Sequence, residues 1–398
     1  MTRIPNPTDR LRKIVESFPR VTITVLGDMV ADEFVFGEIS RVSREAPVLI
    51  LRHKEREVVP GGGANAVNNL ADLGVNVLPV GIVGNDEPGR LLLRNFRHKR
   101  IPVTGILKDK NFPTVTKTRI LAGMPHTWRQ QVVRVDREPE AEPDSHAARE
   151  LALAAREYLR VSDAWLISDY GYGAATPQIV NAVRDRRTPQ AIRLPRIPSP
   201  SRISKVRRVP HPGAPGTPVV GVKEWRASRF SNGGLRNSPD DLRQNIPIVL
   251  DSRHRMLEFS GITAATPNEP EVEELLGTRI GQDWNKLCAA GNEIISRMKL
   301  DSLVITRGRD GMVAFSEKHK PVDIPIYGSD QVTDVTGAGD TVIATFTAAL
   351  AAGASTEDAA HLANFAGGIV VMKRGTATVS QQELLDALEK SSPQTRSR

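Results

Sequence analysis

DVTGAGDTVIATFTAALAAG, residues 334–353, joins a glycine-rich turn to an apolar helix running from Thr341 to about Ala352. Gly337 and Gly339 let the backbone turn tightly and approach an anion with no Cβ in the way. The helix then offers unpaired N–H groups and the positive end of its dipole to that anion. Asp340 lies in its first turn, where a carboxylate can accept a proton from an attacking hydroxyl. The amides of Gly337, Ala338 and Gly339 would meanwhile stabilise a transferring phosphoryl group. An ordinary Gly-rich turn with an acidic cap is the plainer reading of the same residues.

Outward from this turn the chain alternates. VTITVL (21–26), VNVLPVGIVG (75–84), AWLISDY (164–170), PIVLDSR (247–253) and SLVITRG (302–308) read as strands. ANAVNNLADLG (64–74), PGRLLLRNFRHKR (88–100), SHAARELALAAREYLR (145–160), TPQIVNAVRDR (176–186) and EPEVEELLG (269–277) read as helices. Such alternation implies parallel strands joined by crossover helices on both faces of one sheet. Ligands of such sheets bind beyond the carboxyl ends of the strands, where Asp169, Asp251, Asn268 and Gly308 fall. Two β-rich stretches, 34–54 and 113–136, suit a small accessory sheet instead.

The 398 residues are 39% apolar but only 5% aromatic, so aliphatic side chains must fill the core. No run approaches the roughly 18 apolar residues of a membrane helix. The first twenty residues are polar and charged, unlike a secretory leader, so a cytoplasmic protein is expected. Cys288 is the only cysteine, which excludes an intramolecular disulfide or a cysteine metal cluster.

The net charge of +8 is unevenly spread. Residues 186–246 hold thirteen Lys/Arg against three acids, a net +10, leaving −2 on the rest. That segment also has nine prolines, little apolar periodicity and only Trp225 and Phe230 as aromatics. It reads as an insertion, disordered or looped over the surface. A nucleic-acid partner is not expected, since a stacking platform would interleave aromatics with the basic residues.

DVTGAGD and the following helix resemble the C-terminal signature of the ribokinase (PfkB) carbohydrate kinases. GGGANAVNNLADLG (61–74) is similar to the family's sugar-binding Gly-Gly-x-x-Asn element, through Gly62, Gly63 and Asn65. TPNEPEVEELLG (266–277) resembles its Asn-x-x-Glu element, with Asn268 and Glu271. ITRGRDG (305–311) and ANFAGGIVV (363–371) resemble segments bordering the nucleotide. Within the family, GDMVADEFVFGEISRVSREAPVLIL (27–51) and TKTRILAGMPHTWRQQVVRVD (116–136) resemble kinases acting on C1 of D-glycero-D-manno-heptose 7-phosphate.

The resemblance implies a single ribokinase-like domain over 1–398, a three-layer α/β/α sandwich with a mainly parallel central sheet. A small β lid would come from about 33–55 and 107–137 and would exclude water on closing. Asp340 is implied as the base, with Gly337, Ala338 and Gly339 around the transferring group. Asp28, Asp32, Gly62, Gly63, Asn65, Lys117, Arg119, Gln131 and Arg134 are implied at the sugar phosphate. Asn268, Glu271, Thr306, Gly308, Gly311 and Asn364 are implied at ATP, with Asn268 and Glu271 organising Mg2+ through water. K+ beside the 337–340 loop and a homodimer formed through the lids are further expectations.

Blander readings stand beside these. Asn268 and Glu271 match a helix capping box, Gly62 and Gly63 a strand-to-helix turn, and Gly308 and Gly311 a hairpin. Lys117 and Arg119 match a solvated strand face, and Asp28 a turn acid. Ser252 and Arg253 stand where many relatives have Pro and Lys, so a lysine role there does not carry over. The chain ends at Arg398, about where the kinase fold should finish, so any following nucleotidyltransferase step is expected from another protein. A kinase for another sugar, or a catalytically silent sugar- or nucleotide-binding regulator, are the alternative functions.

Overall fold

A computed structural model describes residues 7–123, 129–185, 246–317, 319–328, 334–373 and 375–391. The chain opens with α1 (Pro7–Ser17), β1 (Thr22–Gly27), β2 (Met29–Val42), β3 (Leu49–Gly62) and α2 (Gly63–Asp72). There follow β4 (Asn76–Gly84), α3 (Glu87–His98), β5 (Ile106–Asp109), β6 (Thr116–Gly123) and β7 (Gln130–Arg137). Next are α4 (Ser145–Leu159), β8 (Ala164–Asp169), α5 (Pro177–Arg184), β9 (Ile248–Ser252) and β10 (Ala264–Ala265). The last third contains α6 (Glu269–Leu276), α7 (Trp284–Met298), β11 (Ser302–Thr306), β12 (Met312–Ser316) and β13 (His319–Ile324). It closes with α8 (Ala338–Ala351), α9 (Thr356–Val370) and α10 (Gln381–Ser391).

Nine strands make one sheet in the order β13-β12-β11-β10-β9-β8-β1-β4-β5. It is parallel from β11 to β5, and β12 and β13 add an antiparallel edge. Its central members are apolar on both faces, as strands covered by helices on each side must be; β8 is buried at every position. α8 is buried along almost its whole length and packs between α9 and α2. Side-chain N-caps on α3, α4, α5, α6, α7 and α9 satisfy N–H groups that the first helical turn leaves unpaired.

A second sheet has the order β3-β2-β6-β7. β2 pairs with β6 in parallel, while β3 and β7 are antiparallel to their neighbours. Its strands differ from the expected lid boundaries. β2 and β3 run 14 residues each, well past 33–55, because Met29–Glu33 and Val58–Gly62 carry the ladder down to the large sheet. Ile106–Asp109 pairs with β4 in the large sheet and does not belong to the small one. The expected insertion 186–246 lies outside the described residues, apart from Ile246. Among the described residues, no helix is long and apolar enough to cross a membrane.

Candidate active site

The carboxyl ends of β8, β9, β10 and β11 and the root of the small sheet surround a cavity of about 290 Å3. Asp340 reaches it from the first turn of α8. Gly337, with φ 78°, caps that helix in a left-handed conformation, and a Cβ there would lie 2.6 Å from the Asn65 Nδ2. Asn65 in turn donates to Asp340 Oδ2 at 2.8 Å, and Tyr170 Oη donates to Oδ1 at 2.5 Å. Burial pushes Asp340 up to about 6, although both hydrogen bonds pull the other way. Such a carboxylate is ionised at neutral pH yet close enough to proton balance to act as a base.

Behind Asn65 the network continues. Asn69 Nδ2 donates to Asn65 Oδ1 at 3.2 Å, and Thr341 Oγ1 donates to Asn69 Oδ1 at 2.9 Å. All three side chains are buried. The amide of Ala338 is used within the turn by Val335 O, whereas those of Gly339 and Asp340 have no backbone partner among the described residues. Of the expected anion donors this removes Ala338 alone, since the Gly337 amide likewise has no backbone partner among the described residues, and outside the helix's own backbone nothing stands within 4 Å of where a Gly339 Cβ would be.

Asn268 and Glu271 form a full capping box on α6. Glu271 N donates to Asn268 Oδ1 at 2.8 Å and Asn268 N to Glu271 Oε2 at 2.9 Å. Both also line the cavity, so the capping and ligand-facing readings hold together. Desolvation raises Glu271, and it raises Asp251 well above the usual carboxylate range with help from Glu271 and Asp340. This crowd of carboxylates suits a divalent cation. Among the described residues no three His, Cys, Asp or Glu side chains form a cage of their own.

Asp32, Lys117 and Arg119 enter from β2 and β6. Arg119 Nη1 donates to Asp32 Oδ1 at 2.7 Å. Lys117 is 9% exposed and makes no ion pair among the described residues. Its Nζ lies 5.5 Å and 5.6 Å from the ring centres of Tyr170 and Tyr172. Burial and then Arg253 lower its pKa, as for a cation short of an anion.

Of the implied site residues, Asp32, Gly62, Lys117, Arg119, Asn268, Glu271, Thr306, Gly337, Gly339 and Asp340 line this cavity. Asn65 and Ala338 stand just behind it. Asp28 does not face it. Its carboxylate is used by the backbone N–H groups of Tyr170, Tyr172 and Ala174 at 2.8, 3.1 and 2.9 Å, so it fixes the loop after β8. Gly63 N donates to Asp28 O at the start of α2. Gln131 and Arg134 sit on the exposed strand β7, where Arg134 pairs with Asp136 at 2.7 Å. Gly308 and Gly311 turn the chain from β11 into β12, and a Cβ at Gly311 would fall 2.2 Å from Ile324 O. Asn364 is buried within α9 and donates to Pro325 O at 2.8 Å. The sequence reading gave no role to Tyr170, placed Asp251 only among the strand ends where ligands bind and treated Arg253 only as a departure; all three line the cavity.

Known proteins resemble this chain over most of its length. The chain is 34% identical over 382 residues to the bifunctional protein HldE of Geobacter sulfurreducens, covering 95% of this chain and 66% of that protein. HldE of Gluconobacter oxydans is 31% identical, covering 96% of this chain and 67% of its own length. The chain thus spans about two thirds of these relatives. Among solved structures, Arabidopsis thaliana ribokinase complexed with ribose and ATP matches with a TM-score of 0.61 at 18% identity, over 93% of this chain and 98% of that one. Phosphofructokinase-2 of Escherichia coli in complex with fructose-6-phosphate matches with a TM-score of 0.63 at 16% identity, again over 93% and 98%. The fold is therefore ribokinase-like, an α/β sandwich around a mostly parallel sheet. The sequence model of the pfkB family carbohydrate kinases matches residues 23–212 and 214–383, and the chain belongs to that family.

Proposed function

We propose that this kinase transfers the γ-phosphoryl group of ATP to the C1 hydroxyl of D-glycero-D-manno-heptose 7-phosphate. The observation carrying this reading is that Lys117, a buried cation with no ion pair among the described residues, shares a cavity with Asp340. A sugar that already bears a phosphate would bring the missing anion, and Arg119 beside it adds a planar donor set. The likeness of 27–51 and 116–136 to heptose 7-phosphate kinases supports this choice of sugar. Asp340 takes the proton of the attacking hydroxyl, and the N–H groups of Gly339 and Asp340 face the charge that develops on the phosphoryl oxygens. Asn268 and Glu271 would hold Mg2+ through water; the bound ion neutralises the nucleotide phosphates.

Three further parts belong to the same proposal. Residues 1–398 act as one kinase domain, and the small sheet serves as a lid. K+ supports the 337–340 loop. A second copy pairs through the lid, consistent with β7 exposed at every position and with Val132, Val133 and Val135 at 45–55% exposure.

ATP consumption with D-glycero-D-manno-heptose 7-phosphate, ribose and fructose 6-phosphate, with and without K+, tests the substrate. Turnover confined to the heptose phosphate and reduced at least a hundredfold by Asp340→Asn is expected. Turnover on another sugar removes the substrate assignment. Unchanged turnover in Asp340→Asn removes the base. Sedimentation of the same sample as a monomer would remove the dimer.

A further inference from the structure

β8 and β9 are parallel neighbours in a register that pairs Asp169 with Ser252. The next residues outward, Tyr170 and Arg253, therefore leave the sheet side by side, and the Arg253 guanidinium lies 4.4 Å from the centre of the Tyr170 ring. The Lys117 ammonium lies 5.5 Å from the centre of the same ring. The backbone of Tyr170 is pinned from below, because its N–H donates to Asp28 Oδ2 at 2.8 Å. Backbone, ring and hydroxyl thus each have a partner, and the hydroxyl's partner is the acid in the first turn of α8.

Desolvation, then Asp340 and Asp251, raise the Tyr170 phenol well above its ordinary value, so it stays a donor across the working pH range. Asp340 Oδ1 therefore always receives a hydrogen bond from Tyr170 while Oδ2 receives one from Asn65. Each oxygen keeps a second lone pair for an incoming hydroxyl. The charged groups facing Asp340 from other elements are Asp32 on β2, which opposes its ionisation, and Arg253 beyond β9, which favours it. Asp251 on β9 and Lys117 and Arg119 on β6 line the same cavity.

We propose that Tyr170 is a positioning residue for Asp340: its phenol fixes the carboxylate in one orientation and holds it in the proton-accepting form. This rests on the reading of Asp340 as the base. Tyr170→Phe keeps the ring beneath Arg253 and Lys117 and deletes only the hydroxyl. Losing a hydrogen bond to the ionised form makes ionisation harder, so the acid limb of kcat/KM should move upward by about one pH unit. A substrate phosphate titrating near pH 6 contributes equally to both profiles. A merely structural tyrosine would lower the whole profile without moving its limb.

A measurement that needs no sugar separates this inference from the reading beneath it. The stability difference between Asp340 and Asp340→Asn proteins, followed by thermal melting against pH, reports the ionisation of Asp340 in the folded state. In the Tyr170→Phe background its midpoint should rise by the same amount as the acid limb. Should Tyr170→Phe fold poorly, 3-fluorotyrosine at position 170 keeps the packing, donates more strongly, and should move both midpoints downward. An unmoved limb and an unmoved melting midpoint, with Asp340→Asn inactive, overturn the role of Tyr170 and leave the base intact. An active Asp340→Asn protein overturns the base, whatever Tyr170→Phe does.

Discussion

Asp340 is 5% exposed and raised by burial to about 6, against an ordinary value of 3.8. A carboxylate whose folded pKa lies above its unfolded one binds more protons in the native state, so native stability falls as pH rises between those two values. The group therefore costs stability above about pH 6, and that cost disappears below about pH 4. Asp340→Asn should accordingly be inactive yet more stable than the parent protein at pH 7.5, by on the order of 2 kcal/mol. The gain should fade as melting is repeated toward pH 4. An equal gain at both pH values would mean that packing, not ionisation, separates the two proteins. The site was legible in the sequence where its parts are contiguous: the turn at Gly337–Asp340 and the Asn268–Glu271 pair each announce themselves within four residues. Tyr170 was not, because nothing local marks it, while Asp251 was read only as a strand end and Arg253 only as a departure. They meet Asp340 only through the pairing of β8 with β9 and the packing of α8 against that sheet edge.

The capping box at the start of α6 places the same pair of side chains on the wall of the cavity. Asn268→Ala removes the acceptor for Glu271 N and should lower stability by about 1 kcal/mol. It should also raise the Mg2+ concentration needed for half-maximal rate. Asn268→Asp keeps a good N-cap, so it should recover the melting temperature while still altering the Mg2+ dependence. If Asn268→Asp restored both, capping alone would explain the residue. Elements were read with similar unevenness. The buried parallel strands announced themselves as apolar runs, but β10 is only two residues long and gives no periodic signal. β2 and β3 were read as one β-rich stretch, 34–54, without their inner ends, and their register shifts at Phe36–Gly37 and Ile39–Arg41 interrupt the alternation. Gln131 and Arg134 were assigned by motif similarity alone, and β7, the outermost strand of the small sheet, carries them on an exposed surface away from the cavity wall.

The charge of the whole molecule is concentrated in one segment. Residues 190–243 carry eleven Lys/Arg and three acids, a net +8 equal to the charge of the entire chain. The kinase body needs none of it for connectivity. β8 and β9 are adjacent and parallel, and α5 already supplies the crossover between them, ending at Arg184. Removing 190–243 leaves 185–189 and 244–247 to join α5 to β9, nine residues where connections of about two to six are common. The shortened chain should fold, melt within a few degrees of the full chain and keep its kcat/KM within about threefold. Its formal charge falls to zero, so at pH 7 it should pass through a cation exchanger that retains the full chain. Near-neutral proteins associate readily, and the activity comparison therefore belongs at pH 8 and moderate salt. A soluble but inactive product there would mean that the basic segment contributes to the site. Full activity with the exchange behaviour lost would assign the basicity to contacts outside the reaction.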